Sequence, residues 1–195
     1  MGGHRMKNLS YEELKSISEN QAPPNIVDSI GFEKTLYLVH QLLNDKEWDE
    51  SLHEYGALLL ENLRRSYPKE WNSHWKYDAF LGYAYDIIFD CDERYAAYHR
   101  AFQKADPPPP ELLVAIARCC WSPGKPPITE EESISLVKKS MENIYYIESV
   151  RLLRGLYKSS GNIEQQLYWE NILDQIEKNG TNLPSLDFIS KNDLT

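Results

Sequence analysis

Trp48, Leu52, Tyr55, Leu59 and Leu63 recur at spacings of four, three, four and four. Only a helix brings residues so spaced onto one face, so this stripe commits its segment to a helix with one buried side. The stripe predicts a helix from about Glu47 to Ser66, stopped by Pro68 because proline lacks an amide hydrogen and clashes with the preceding turn. The same reasoning extends along the chain. Ser10 and Glu13 form a capping box that opens a short helix, the serine bonding forward and the glutamate back. That helix ends before Pro23-Pro24, and residues 25–31 read as a connector. Phe32, Leu36, Val39 and Leu43 mark the inner face of the next helix, with Asn44-Asp45-Lys46 as the turn.

Residues 69–73 read as a loop leading into a central pair, Trp75 to Pro110. Tyr77, Leu81, Ala84, Tyr85 and Ile88 mark the first member's face, broadened by Phe80, Tyr83 and Phe89. The second starts near Asp92, runs through Tyr95, Tyr98, Ala101 and Phe102, and stops at Pro107 to Pro110. Leu112, Leu113, Ile116 and Ala117 open another helix reaching Trp121. Thr129 and Glu132 make a second capping box, and Ile134, Val137 and Met141 follow it. Tyr146, Val150, Leu153 and Tyr157 mark a helix closed at Gly161, a left-handed glycine cap. Ile163, Leu167, Trp169, Ile172, Leu173 and Ile176 form the last stripe. No strand signal competes with these, so the expectation is an all-α fold of eight or nine helices in antiparallel pairs.

Leu81-Gly82-x-x-Tyr85, Tyr98-x-x-Ala101 and Pro107 together resemble the tetratricopeptide repeat pattern of large and small packing residues. Asp78 stands where that family has a bulky aromatic, Arg94 where it has alanine, and the proline falls one place late. Helix pairs starting near residues 32, 75, 110 and 147 are separated by 43, 35 and 37 residues, around the repeat length of about 34. The resemblance implies a short TPR-like solenoid over residues 32–180 that presents a face to another protein. An irregular helical bundle is the alternative architecture. Residues 1–5 read as an added leader ahead of Met6, residues 6–31 as an N-terminal helix and linker, and 181–195 as a polar tail in which Leu183, Leu186, Phe188 and Ile189 could dock.

The 195-residue chain carries a net charge of −9. That charge argues against nucleic acid and against an anionic membrane surface, both of which call for lysine and arginine clusters. The excess is uneven: residues 1–97 hold 17 acidic against 10 basic side chains, residues 98–195 hold 13 against 11. Cys91, Cys119 and Cys120 suit reduced thiols in a cytoplasmic protein rather than a disulfide framework. No glycine-rich phosphate loop, serine elbow or paired-histidine motif is present, so no catalytic residue, cofactor or metal ligand is assigned. Asp86, Asp90, Asp92 and Glu93 gather four carboxylates at one helix end. They define the alternative function, a hydrolase or metal-dependent enzyme.

The first reading is a non-catalytic scaffold for a basic protein partner, as an immunity-type inhibitor of a basic toxin, a chaperone or an adaptor. If Trp48 to Leu63 turn inward, Asp45, Asp49, Glu50 and Glu54 are left facing solvent. Trp71, His74 and Trp75 lie in the expected loop beside them, where aromatic side chains can anchor a partner. The expected partner face is therefore Asp45, Trp48, Asp49, Glu50, Glu54, Trp71, His74 and Trp75.

Overall fold

A computed structural model of the chain describes residues 8–180 together with 183, 184 and 186. The described residues form eleven α-helices and one short 3-10 turn, with no strand. Neighbouring helices pack in pairs, as an all-α fold requires. The chain divides into two compact units between Ala97 and Tyr98. The expected leader and most of the expected tail lie outside the described residues.

The first unit holds α1 (Tyr11–Asn20), α2 (Pro23–Ile30), α3 (Phe32–Leu43), α4 (Glu50–Ser66), α5 (Pro68–Asn72), α6 (Trp75–Ile87) and the start of α7 (Cys91–Lys104). Its centre is α4, which packs against α1, α2, α3, α5 and α6. Leu52, Leu59 and Leu63 of the expected stripe are completely buried, joined by Leu60. Gly56 sets the approach of α3: a Cβ there would lie 3.1 Å from the Leu43 side chain. Tyr55 reaches across α4's edge and donates its hydroxyl to the Gln21 carbonyl at 2.8 Å, fixing the end of α1. Leu14, Ile26 and Val27 belong to the same core as α3, α4 and α6. Residues 9–30 thus contribute a layer to the core of this unit.

Two helices are more than the sequence predicts, and both begin with proline. Pro23 opens α2 and Pro68 opens α5. Proline ends a helix that precedes it but fits the first turn of the next, where no amide donor is needed. The expected connector and the expected loop are therefore helices.

The second unit holds the rest of α7, then α8 (Pro110–Arg118), the 3-10 turn Cys119–Trp121, α9 (Glu130–Ser140), α10 (Ile147–Ser159) and α11 (Ile163–Lys178). α8 packs on α9, α9 on α10, and α10 on α11. Val114, Val137, Val150, Leu153, Leu156, Trp169 and Leu173 meet in its core. The Thr129–Glu132 capping box forms as expected, as does that of Ser10 and Glu13 in the first unit. Leu183 and Leu186 pack against this core, and the Leu186 amide donates to the Glu148 carboxylate at 3.1 Å. Phe188 and Ile189 lie outside the described residues. One expectation for α11 fails: Ile163 and Leu167 are exposed, and only Trp169 and Leu173 are buried. The helix carries apolar residues on more than one face.

α6 and α10 end alike. Beyond α10, Asn162 N–H bonds to the Tyr157 carbonyl and Gly161 N–H to that of Lys158, with Gly161 at φ +72°. Beyond α6, Asp90 N–H bonds to Tyr85 and Phe89 N–H to Asp86, but Phe89 now holds the left-handed position at φ +59°. This closure favours glycine, since a side chain there costs about 1–2 kcal/mol. Phe89 does not join the inner face of α6 as expected; it lies past the helix end and is 79% exposed. Phe89→Gly should therefore raise stability by about 1 kcal/mol and Tm by a few degrees, read by thermal unfolding. A drop in Tm would show that the ring contributes more than its backbone costs.

Candidate functional site

The acidic edge forms where α3 hands over to α4. The stripe that predicts α4 runs one step too far: the helix begins at Glu50, Asp49 is its N-cap, and Trp48 lies outside it. Trp48 takes a left-handed backbone at φ +52°, rare for a bulky side chain, and its ring is 64% exposed. The expectation that Trp48 turns inward is thus corrected. Its ring stands edge-on against His53, centroids 4.8 Å apart.

Asp49 is not a free surface charge. It accepts from the Ser51 backbone amide at 3.0 Å and hydroxyl at 2.6 Å, and from the Tyr11 hydroxyl of α1 at 2.8 Å. These bonds favour the ionised form, the Ser51 side chain most, and hold the Asp49 carboxyl below the ordinary aspartate value. Its own amide points to Asp45 Oδ2 at 3.4 Å. Glu50 and Glu54 lie on the exposed side of α4, one turn apart, and Leu58 follows a turn later, also exposed. Glu47 is exposed in the turn before Trp48. Among the described residues none of Asp45, Glu47, Glu50 and Glu54 has a cationic partner.

His53 sits beneath this edge at 1% exposure. Its Nε2 is buried with no hydrogen-bond partner. Burial lowers its pKa, and the charges of Asp45, Asp49 and Glu50 oppose that effect without reversing it. A base with a depressed folded pKa leaves the unfolded chain binding more protons. Its contribution is complete above the unfolded value of about 6.5 and is lost as pH falls through that value towards the folded one. The urea midpoint should fall between about pH 7 and about pH 5, and fall less in His53→Gln. Equal slopes would assign the acid sensitivity to other groups.

The other half of the expected face is elsewhere. Trp71, His74 and Trp75 follow the C-terminal end of α4, whereas Trp48 precedes its N-terminal end. Seventeen residues of helix place those ends about 25 Å apart at about 1.5 Å per residue. Nor is Trp71 a loop residue. It is 1% exposed and donates its indole N–H to Asp78 Oδ1 at 3.1 Å. His74 caps α6, its Nδ1 accepting from the Lys76 amide at 3.1 Å, and Trp75 is half-buried. Of the expected set, the structure gathers Asp45, Trp48, Asp49, Glu50 and Glu54, and adds His53 and Glu47. From the sequence His53 is assigned no role; its position one turn past the cap was the available signal.

The carboxylates between α6 and α7 have structural occupations. Asp86 pairs with Arg94, and Asp90 caps α7 by accepting from the Glu93 amide at 3.2 Å. No group of three or more histidine, cysteine, aspartate or glutamate side chains suited to a metal occurs among the described residues. Carboxylates standing in solvent at a helix end would be replaceable at little cost. Asp86→Asn with Asp90→Asn should instead destabilise by about 1–2 kcal/mol through the lost cap and ion pair. Urea unfolding reads this, and a change below about 0.3 kcal/mol would restore the solvated-surface reading. No helix of the described residues is long and apolar enough to cross a membrane. Compared with protein-family models, curated proteins and solved structures, the chain matches none.

Proposed function

We propose that this chain is a non-catalytic, TPR-like protein-binding scaffold that docks a basic surface of another protein at the Trp48 edge. The observation that carries this reading is the group of unpaired carboxylates, Asp45, Glu47, Glu50 and Glu54, around a strained, exposed tryptophan. Backbone strain persists where the surrounding structure enforces it and is concentrated at functional positions. An exposed aromatic within a charged rim has the composition of a binding hot spot. An immunity-type inhibitor of a basic toxin fits this description, as do a chaperone and an adaptor. Three cysteines outside any disulfide, two of them buried, accord with a cytoplasmic setting.

The test begins by capturing the partner with the intact chain and measuring association at low and high salt. Charges at such an edge chiefly accelerate encounter, and salt screens them over about 8–10 Å. Glu50→Lys with Glu54→Lys should slow association at least tenfold at low salt, and the difference should shrink at high salt. Both residues are exposed and outside the cap, unlike Asp49. An unchanged rate at both salt concentrations would place docking elsewhere.

A further inference from the structure

The Trp48 edge presents three recognition elements side by side: an exposed indole face, unpaired carboxylates, and a buried ring nitrogen lacking a partner. The nitrogen is the informative one. A buried polar atom without a hydrogen bond is uncommon, because it has given up water for nothing. His53 Nε2 is in that state on a ring that meets the Trp48 ring edge-on, centroids 4.8 Å apart, close enough to Asp45, Asp49 and Glu50 to feel their charge. A ligand that satisfies this group must bring N–H donors, positive charge and a flat surface for the indole. Guanidinium has all three: it is planar, always charged and carries five N–H donors. Ammonium is a compact, strongly hydrated point charge that cannot stack.

Resting on the docking reading above, we infer that the Trp48 edge is an arginine site. The partner's guanidinium stacks on Trp48, and its N–H groups are shared by the Asp45 and Glu50 carboxylates and His53 Nε2. Trp48 supplies the cation–π contact. Its left-handed backbone keeps the ring out over the rim instead of folded into the core stripe that its spacing would otherwise join. Asp49, already engaged by Tyr11 and Ser51, holds the turn in place.

The test uses end-blocked hexaarginine and hexalysine peptides, equal in charge, titrated into the full isotope-labelled chain at one ionic strength. Hexaarginine should shift the Trp48 indole N–H and the His53 ring nitrogens saturably, with a Kd at least tenfold below that of hexalysine. Trp48→Gly should make the two peptides equivalent while leaving Tm unchanged or higher, because glycine suits φ +52°. Equal affinities for the intact chain would overturn the arginine site, as would an arginine preference that survives Trp48→Gly. A response at Trp48 without one at His53 would overturn the role of Nε2. Loss of the arginine preference with the partner still sensitive to Glu50 and Glu54 removes this inference alone. Loss of both removes the docking reading with it.

Discussion

Trp71→Ala should cost about 3–5 kcal/mol of stability, the largest effect expected of any single substitution considered for the first unit. The indole is 1% exposed within the core shared by α3, α4 and α6, and it lies 5.8 Å from the Tyr77 ring. Truncation opens a cavity between α5 and its neighbours α4 and α6. It also removes the indole donor from Asp78, a carboxylate that is itself 1% exposed. Trp71→Phe separates the two losses, since it keeps most of the volume but deletes the N–H. It should cost roughly half as much, a cost assigned chiefly to the Asp78 hydrogen bond, with the remainder of the alanine cost assigned to the cavity. Urea unfolding of both variants gives the partition. A cost below about 1 kcal/mol for the alanine variant would mean that α5 is peripheral to the core.

The second large effect concerns a buried carboxylate. Glu61 lies on the core side of α4 at 8% exposure; its Oε1 accepts the Tyr85 hydroxyl at 2.7 Å and its Oε2 faces Arg64 at 3.0 Å. Burial, then the hydrogen bond to Glu61, drives the Tyr85 phenol well above its ordinary pKa. It remains the donor throughout the accessible range. Tyr85→Phe deprives a desolvated carboxylate of that donor and should cost about 1.5–3 kcal/mol. Glu61→Leu leaves the Tyr85 hydroxyl without its acceptor and should cost a similar amount. Replacing both removes the demand together with the supply, so the double variant should cost less than the sum by about 1–3 kcal/mol. Additive costs in the cycle would show that the two groups do not interact.

These two sites show why some of the structure was legible and some was not. Periodicity reported Leu52, Leu59 and Leu63 correctly, because a long helix packed by five neighbours must bury one stripe. The same signal overshot at Trp48, since the four-residue step continues past a cap that only Asp49 and its hydrogen bonds define. Caps written in side-chain pairs were readable; Ser10 with Glu13 and Thr129 with Glu132 formed as the spacing demands. Prolines were read as stops alone, which hid α2 and α5. Asp78 looked like a departure from a repeat pattern because its partner, Trp71, was taken for a loop residue; each explains the other once α5 is a helix. At α11, apolar residues on two faces left spacing unable to choose, and the structure buries only the side that meets α10. Of the acidic edge, the charges were legible and the orphaned His53 nitrogen was not, because lack of a partner is a property of three-dimensional surroundings.

The distribution of tryptophan gives this molecule a built-in optical readout. Trp71 is enclosed in the first unit and Trp169 in the second, at 1% and 6% exposure, whereas Trp48 and Trp121 remain in water. The Trp169 indole N–H has no hydrogen-bond partner, so its emission is governed by the apolar surroundings. Two chains, each keeping one enclosed indole and replacing the other four with phenylalanine, would turn a single denaturation experiment into two separate curves. Each curve would follow one unit by its own light, and because Trp71→Phe itself lowers stability, agreement of each curve with the loss of helix in the same chain would show whether the two halves melt together.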